Sequence, residues 1–221
     1  MTKDVSQSIE ELVSQINSTI EGVYDAINQR TDICNTKWAR VGKYVTDLIN
    51  GQLLITEIDY DNYLVAGNAN GTLTLPAPYF VPGTKIAANT EWTKVSNDLT
   101  TKTPLIWLLH DVRYRKYGRE SVYDWESDLR IFFLDETDIV NYYTKDHIDN
   151  VVVPMSKLAD EFIKVVNVNR NYKTLEDYEI INFTRFGTET ENGYIRNILD
   201  ANLSGVELRI TLIKYKNNCK C

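Results

Sequence analysis

Histidine is nearly absent from this chain: His110 and His147 are the only two in 221 residues. Triad chemistry and multi-histidine metal centres therefore have almost nowhere to stand. Cysteine is as scarce. Cys34, Cys219 and Cys221 make an odd count, two of them in a closing Cys-Lys-Cys, which is no secreted disulfide framework. With 10 Gly and 5 Pro the composition is neither fibrous nor disordered. No run nears the roughly 18 apolar residues of a spanning helix, and MTKDVSQSIEELV holds no apolar signal core. The Asn-X-Ser/Thr triplets at Asn17, Asn70, Asn182 and Asn202 then carry little meaning, and a soluble protein made in the cytoplasm is expected. A P-loop, a G-x-S-x-G elbow, an H-E-x-x-H pair and a dinucleotide fingerprint are all missing.

What is present is a globular composition, 43% hydrophobic and 25% charged, of a length that suits a single domain over 1–221. Tyrosine is abundant at 14 residues, beside 4 Trp and 6 Phe, which fits large contact surfaces and equally a well-filled core. The formal charge of −7 argues against a general nucleic-acid binder, yet suits a wall past which DNA slides without sticking.

Val5, Ile9, Leu12, Val13, Ile16, Ile20, Val23 and Ile27 recur at spacings of three and four, which predicts one long N-terminal helix closed by Thr31 and Asp32. A shorter helical pattern follows in TKWARVGKYVTDLIN. From 52 to 101 Asn, Gly and Pro become frequent. QLLITEIDY reads as a strand there, and Leu64 to Leu75 as two short strands about an Asn-Gly turn. The Pro-rich part belongs in a loop or on an edge. This segment is expected to be a β/loop insertion or arm. PLIWLLHDVRY and DLRIFFLDE read as strands, and VVVPMSKLADEFIKVVN as extended and then helical, with Pro154 in the first turn. YEIINFTRFG and GVELRITLIKY close the pattern, and 216–221 is expected to be a flexible tail. The fold class expected is α+β: a mostly antiparallel sheet with the long N-terminal helix and a second helix packed on it, plus the irregular β insertion.

The chemistry is sparse. In TPLIWLLHDVRYRKYG, strand alternation points His110 and Asp111 to opposite faces, so they form no pair of their own, and a base also needs a nucleophile and an orienting group. His110 reads as a strand-end or interface residue. DETD (Asp135–Asp138), with Asp146, His147 and Asp149, lacks the spacing and glycine turn of a calcium loop and reads as a solvated acidic turn. Cys-Lys-Cys makes half a soft-metal site. Neither a cofactor nor a metal is expected. Arg113, Arg115, Lys116 and Arg119 interleave with Tyr114 and Tyr117, and acidic Glu120, Asp124 and Glu126 follow. That mixture suits a charge-complementary protein interface.

In order, the amphipathic start, TPLIWLLHDVRYRKYG, WESDLRIFFLDETD, VVVPMSKLADEFIKVV and GVELRITLIKY resemble the neck and tail-completion proteins of tailed bacteriophages. More narrowly they resemble a connector ring protein of crAss-like podoviruses, which infect gut Bacteroidales. The resemblance spans about residues 1–35 and 103–215. It implies a tail-terminator-like or head-completion-like fold and a structural virion subunit with no catalytic set. It also implies a homo-oligomeric ring, twelvefold or sixfold, between portal and tail, around DNA that passes without specific binding. Portal, neighbouring ring and tail proteins would be the partners, with no membrane. Pro76, Pro78, Tyr79, Phe80 and Pro82 of the arm, with Arg113, Tyr114, Arg115, Tyr117 and Arg119, are then the expected interface. Two other readings stay open at this point: a small phage enzyme or nucleic-acid-handling protein using His110, Asp111 and the basic run, or a monomeric adaptor.

Overall fold

Asp4 starts the first helix. Its carboxylate accepts the Gln7 N–H at 2.8 Å while Gln7 Oε1 accepts the Asp4 N–H at 3.2 Å, a reciprocal cap on α1 (Val5–Ser14). The computed structural model describes residues 4–94, 99–109, 113–175, 177–189, 191–192 and 195–216. Val5, Ile9, Leu12 and Val13 are buried along one face of α1, and there the expected long helix ends. Asn17 Oδ1 accepts the N–H and the hydroxyl of Thr19, at 2.9 and 2.7 Å, and so turns the chain out of the helix. The β-branched Thr19, Ile20 and Val23 then favour a strand. Ile20 is buried in it, but Val23 and Ile27 stand in solvent, so the helical period past Ile16 was coincidence.

The molecule is mostly β, in two sheets, and this replaces the expected single sheet under two helices. β1 (Thr19–Asp25), β2 (Arg30–Ile33), β3 (Tyr44–Asp47), β4 (Gly51–Leu54), β5 (Glu57–Asp59), β6 (Tyr63–Val65) and β7 (Gly71–Thr74) form the first, in the order β4-β3-β7-β1-β2-β6-β5. The helical pattern at Thr36–Asn50 is therefore not a helix, and Gly42 there takes φ +83. The strands expected within Leu64–Leu75 exist as β6 and β7, but β1 and β2 lie between them. The second sheet contains β8 (Tyr79–Gly83), β9 (Leu105–Leu109), β10 (Tyr114–Lys116), β11 (Tyr123–Glu136), β12 (Tyr172–Thr174) and β13 (Glu179–Phe183). β14 (Thr188–Glu189) and β15 (Ile195–Arg196) form a small ladder apart, and β16 (Leu203–Tyr215) completes the second sheet. The segment 52–101 is thus woven into both sheets rather than set beside the fold.

Long antiparallel β11 and β16 make the middle of the second sheet, which curls into a half-barrel. β12 and β13 both pair with β16, and β9 and β10 both pair with β11. β8 adds outside β9 in parallel. Gly205 on β16 takes φ +150, and a Cβ there would stand 2.0 Å from the Phe133 carbonyl oxygen, so only glycine lets these strands close.

Among the described residues the remaining α-helices are α2 (Lys85–Lys94), the single turn α3 (Thr144–His147) and α4 (Val153–Val168). Pro154 sits in the first turn of α4 as expected, but Ile148–Val152 before it already coils as a wide turn rather than running extended. α1 and α4 pack on one face of the second sheet, where Leu12, Phe162, Ile131, Phe133 and Leu208 join the inner side chains of the first sheet in one core. The opposite face holds a smaller core under α2. There Trp107 stacks on Phe132 at 5.0 Å, meets Phe186 edge-on at 5.9 Å, and donates its indole N–H to the Gly83 carbonyl at 3.0 Å.

Candidate interaction surfaces

β16 occupies one side of β11 along its whole length, so β9, β10 and β8 beyond β9 all lie on the other. Both stretches singled out from the sequence therefore fall on the same side of the second sheet. Pro76 and Pro78 lead into β8, and the Pro76 carbonyl accepts the Trp38 indole N–H at 3.1 Å. The Tyr79 N–H bonds inward to the Pro104 carbonyl at 2.8 Å. By alternation Val81 and Gly83 also face β9, leaving Phe80 and Pro82 facing out. Proline has no N–H, so this open edge offers one backbone donor, at Phe80. Tyr79 leans on the small core and Phe80 on the large one, so the segment is packed on its own domain.

Arg113, Tyr114, Arg115 and Lys116 are exposed along β10 and its approach, with the Lys116 ammonium 5.6 Å from the Tyr114 ring. The Tyr117 hydroxyl donates to Glu126, a bond that pushes the phenol's pKa up. Arg119 is exposed in the following turn. Beside β10 opens a cleft of about 520 Å3, lined by Leu109, Arg113, Arg130 and Arg209; Leu129 and Ile210, on the strands that form it, turn their side chains into the large core on the other face. Glu207, 1% exposed, holds two of these arginines: its Oε1 accepts Arg130 Nε at 2.5 Å and Arg209 Nε at 2.9 Å. Burial alone would raise this carboxyl, but the hydrogen bonds and charges of the two guanidiniums outweigh it and hold the pKa below the ordinary value. Asp128, Asp177 and Glu179 line the same cleft, so it carries both signs.

His110 and Asp111 lie outside the described residues, as do Cys219 and Cys221. His147 sits with its Nδ1 2.6 Å from the Thr137 hydroxyl and its ring edge-on to Tyr142. Among the described residues, no three His, Cys, Asp or Glu side chains come together as metal ligands. The Asp135–Asp138 stretch, expected to be solvated, is divided. Asp135 is buried and meets Lys43 Nζ at 3.3 Å and Arg40 Nη1 at 3.4 Å. Lys43 also reaches Glu136 at 3.1 Å and the Thr103 hydroxyl at 2.9 Å, so this cluster ties the first sheet to the end of β11.

Asp138 belongs to something the sequence reading passed over. Asp25-Ala26-Ile27-Asn28, Asp47-Leu48-Ile49-Asn50 and Asp138-Ile139-Val140-Asn141 form the same locked turn. In each, one carboxylate oxygen accepts the next-but-one backbone N–H, at 2.9, 2.7 and 3.0 Å, and the other accepts the asparagine side-chain amide, at 2.6, 2.9 and 2.6 Å. These bonds hold all three carboxyls below their usual pKa, with the asparagine side chain the largest cause at Asp25 and Asp138 and the Ile49 N–H at Asp47. Each turn leaves an aliphatic side chain bare: Ile27 is 93% exposed, Ile49 88% and Val140 86%. The signal was available as a threefold Asp-x-Ile/Val-Asn quartet, hidden by reading Ile27 and Ile49 as helix positions.

Compared with protein-family models, curated proteins and solved structures, the chain matches none.

Proposed function

We propose that this chain is a structural subunit that assembles into a closed ring in the head–tail connector of a tailed phage, between portal and tail. The observation that carries the reading is the pairing of two unlike contact surfaces on one subunit. The basic, tyrosine-bearing side of the second sheet carries the cleft, and the locked turns of the first sheet carry bare aliphatic side chains. A cyclic assembly needs two different, complementary surfaces on each subunit. The charge of −7 supports a wall that DNA passes without being held. Portal, neighbouring ring and tail proteins are the partners this role requires, and the virion neck is its location.

Light scattering on the purified protein tests this, at two concentrations and two salt levels. A discrete mass at a sixfold or twelvefold multiple of 25.5 kDa is expected. A monomer under every condition would overturn the homo-oligomeric ring.

A further inference from the structure

A sheet edge left open is a template for another strand, and this chain guards most of its own. β5 carries Glu57 and Asp59, β8 holds Pro82, β10 bears Arg115 and Lys116, and the three residues of β12 include Lys173. β4 (Gly-Gln-Leu-Leu) and residues 180–183 of β13 (Ile-Ile-Asn-Phe) carry no such guard. Alternation fixes which backbone groups these two edges offer. The Ile55 N–H bonds to the Lys43 carbonyl at 2.9 Å, so in the β3–β4 ladder Gly51 and Leu53 bond inward while Gln52 and Leu54 face out. The Thr137 N–H bonds to the Asn202 carbonyl at 3.0 Å, and counted from there the backbones of Gly205, Glu207 and Arg209 on β16 turn toward β13. Glu179, Ile181 and Phe183 therefore bond inward, and Ile180 and Asn182 face out. Among the described residues, no partner meets the outward N–H and C=O groups of Gln52, Leu54, Ile180 or Asn182.

The two edges match each other. Each offers two donors and two acceptors at alternate residues. Laid antiparallel, one register sets Gln52 opposite Asn182, amide beside amide, and Leu54 opposite Ile180, aliphatic beside aliphatic. Leu53 then meets Ile181 and Gly51 meets Phe183, so no charge enters the ladder. A parallel alignment sets Gln52 against Ile180 and Leu54 against Asn182 and loses both matches. Either edge laid antiparallel on its own copy does the same, with Gln52 against Leu54 or Ile180 against Asn182. Both edges also adjoin the surfaces named above: β4 follows the locked turn that bares Leu48 and Ile49, and β13 starts at Glu179 in the wall of the cleft. We propose that β4 of one copy of this chain adds as an antiparallel strand to the open edge of β13 in a second copy. The proposal rests on the ring reading above and names its contact. β4 and β13 sit on different sheets, so the contact is head-to-tail and can close a ring.

The test uses two variants of the full chain. Leu54→Pro removes an outward N–H from β4 and Asn182→Pro removes one from β13, and neither takes a ladder bond from its own sheet. Each alone is expected to run as a monomer in light scattering, with an unchanged thermal midpoint. Mixed, they are expected to give a one-to-one heterodimer and nothing larger, because one open β4 and one open β13 remain between them. Leu54→Lys and Asn182→Lys, which leave the backbone intact and charge the edge, carry the same test where a proline lowers the midpoint. Rings persisting in either variant, or a mixture that stays monomeric, would overturn the strand addition while the ring reading stands. A monomeric wild type would overturn both.

Discussion

Replacing Asp135 by Asn tests whether charge holds the junction between the sheets. The carboxylate lies 3.3 Å from Lys43 Nζ and 3.4 Å from Arg40 Nη1, with all three side chains nearly buried. At an effective dielectric of about 20, each contact is a gross attraction of about 5 kcal/mol. Desolvation of the three ions offsets most of that, so the intact cluster contributes little net stability. Removing the anion alone is another matter. Two buried cations are left facing Glu136, which is only partly buried, and Arg40 already has a buried Nε with no hydrogen-bond partner. Losing one member of such a set costs about 3–5 kcal/mol, a large share of the roughly 5–15 kcal/mol that holds a domain folded. Asparagine keeps the shape and can still accept the Glu136 N–H, which meets Asp135 Oδ1 at 2.7 Å, so the charge is what is removed. Urea unfolding reads the loss as a lower midpoint at constant slope. Adding Lys43→Met to Asp135→Asn removes one stranded cation and should recover about 1 kcal/mol or more of it. A loss under about 1 kcal/mol for Asp135→Asn, or no recovery in the double variant, would refute the reasoning.

Gly205→Ala places a methyl 2.0 Å from the Phe133 carbonyl oxygen, on backbone that cannot yield without parting β11 from β16; a loss above about 4 kcal/mol, or no soluble fold, is expected in thermal unfolding. Trp107→Ala should cost about 3–5 kcal/mol by the same measurement, because it empties the small core and orphans the Gly83 carbonyl. Carboxyl NMR titration should find Asp25, Asp47 and Asp138 below the ordinary 3.8, and Asp160, raised by burial, above it. The signs follow. The three lowered groups give stability that is present above their unfolded pKa and lost as pH falls through the lowered one. Asp160 gives stability present below its unfolded pKa and lost as pH rises through the raised one. Turn aspartates titrating at or above 3.8 would mean the turns are not locked.

The second sheet was legible because its signals are local and strong. PLIWLLHDVRY, DLRIFFLDE and GVELRITLIKY are long runs in which bulk and alternation agree with the strands β9, β11 and β16. Pro154 marked a real first turn. The first sheet was not legible because its strands are three to seven residues long, too short for a period to show. Its turns carry apolar residues, which mimic a helical stripe: Ile27 and Ile49 look like core positions in a row of letters and are instead bare tips fixed by an aspartate two residues earlier. The candidate surface was half visible. Arg113–Arg119 showed as a basic, tyrosine-rich run, but Arg130, Arg209 and the Glu207 that fixes them are scattered in sequence, and only strand register brings them to one cleft.

The open side of the second sheet also decides how a neighbour can be held there. An arm exchanged between subunits would add to a sheet edge through backbone hydrogen bonds. β8 is a poor acceptor for that: Pro82 occupies an outward position and leaves Phe80 with the one free N–H. β10 is three residues long, with side chains that are all exposed and two that are cationic. Short, proline-blunted and lysine- or arginine-bearing edges are how β proteins prevent strand addition. A neighbour on this side would therefore be held through side chains rather than through backbone pairing. An assembly held through charged side chains would loosen as salt rises, whereas one held by strand exchange would not, so the salt dependence of the proposed ring separates the two modes.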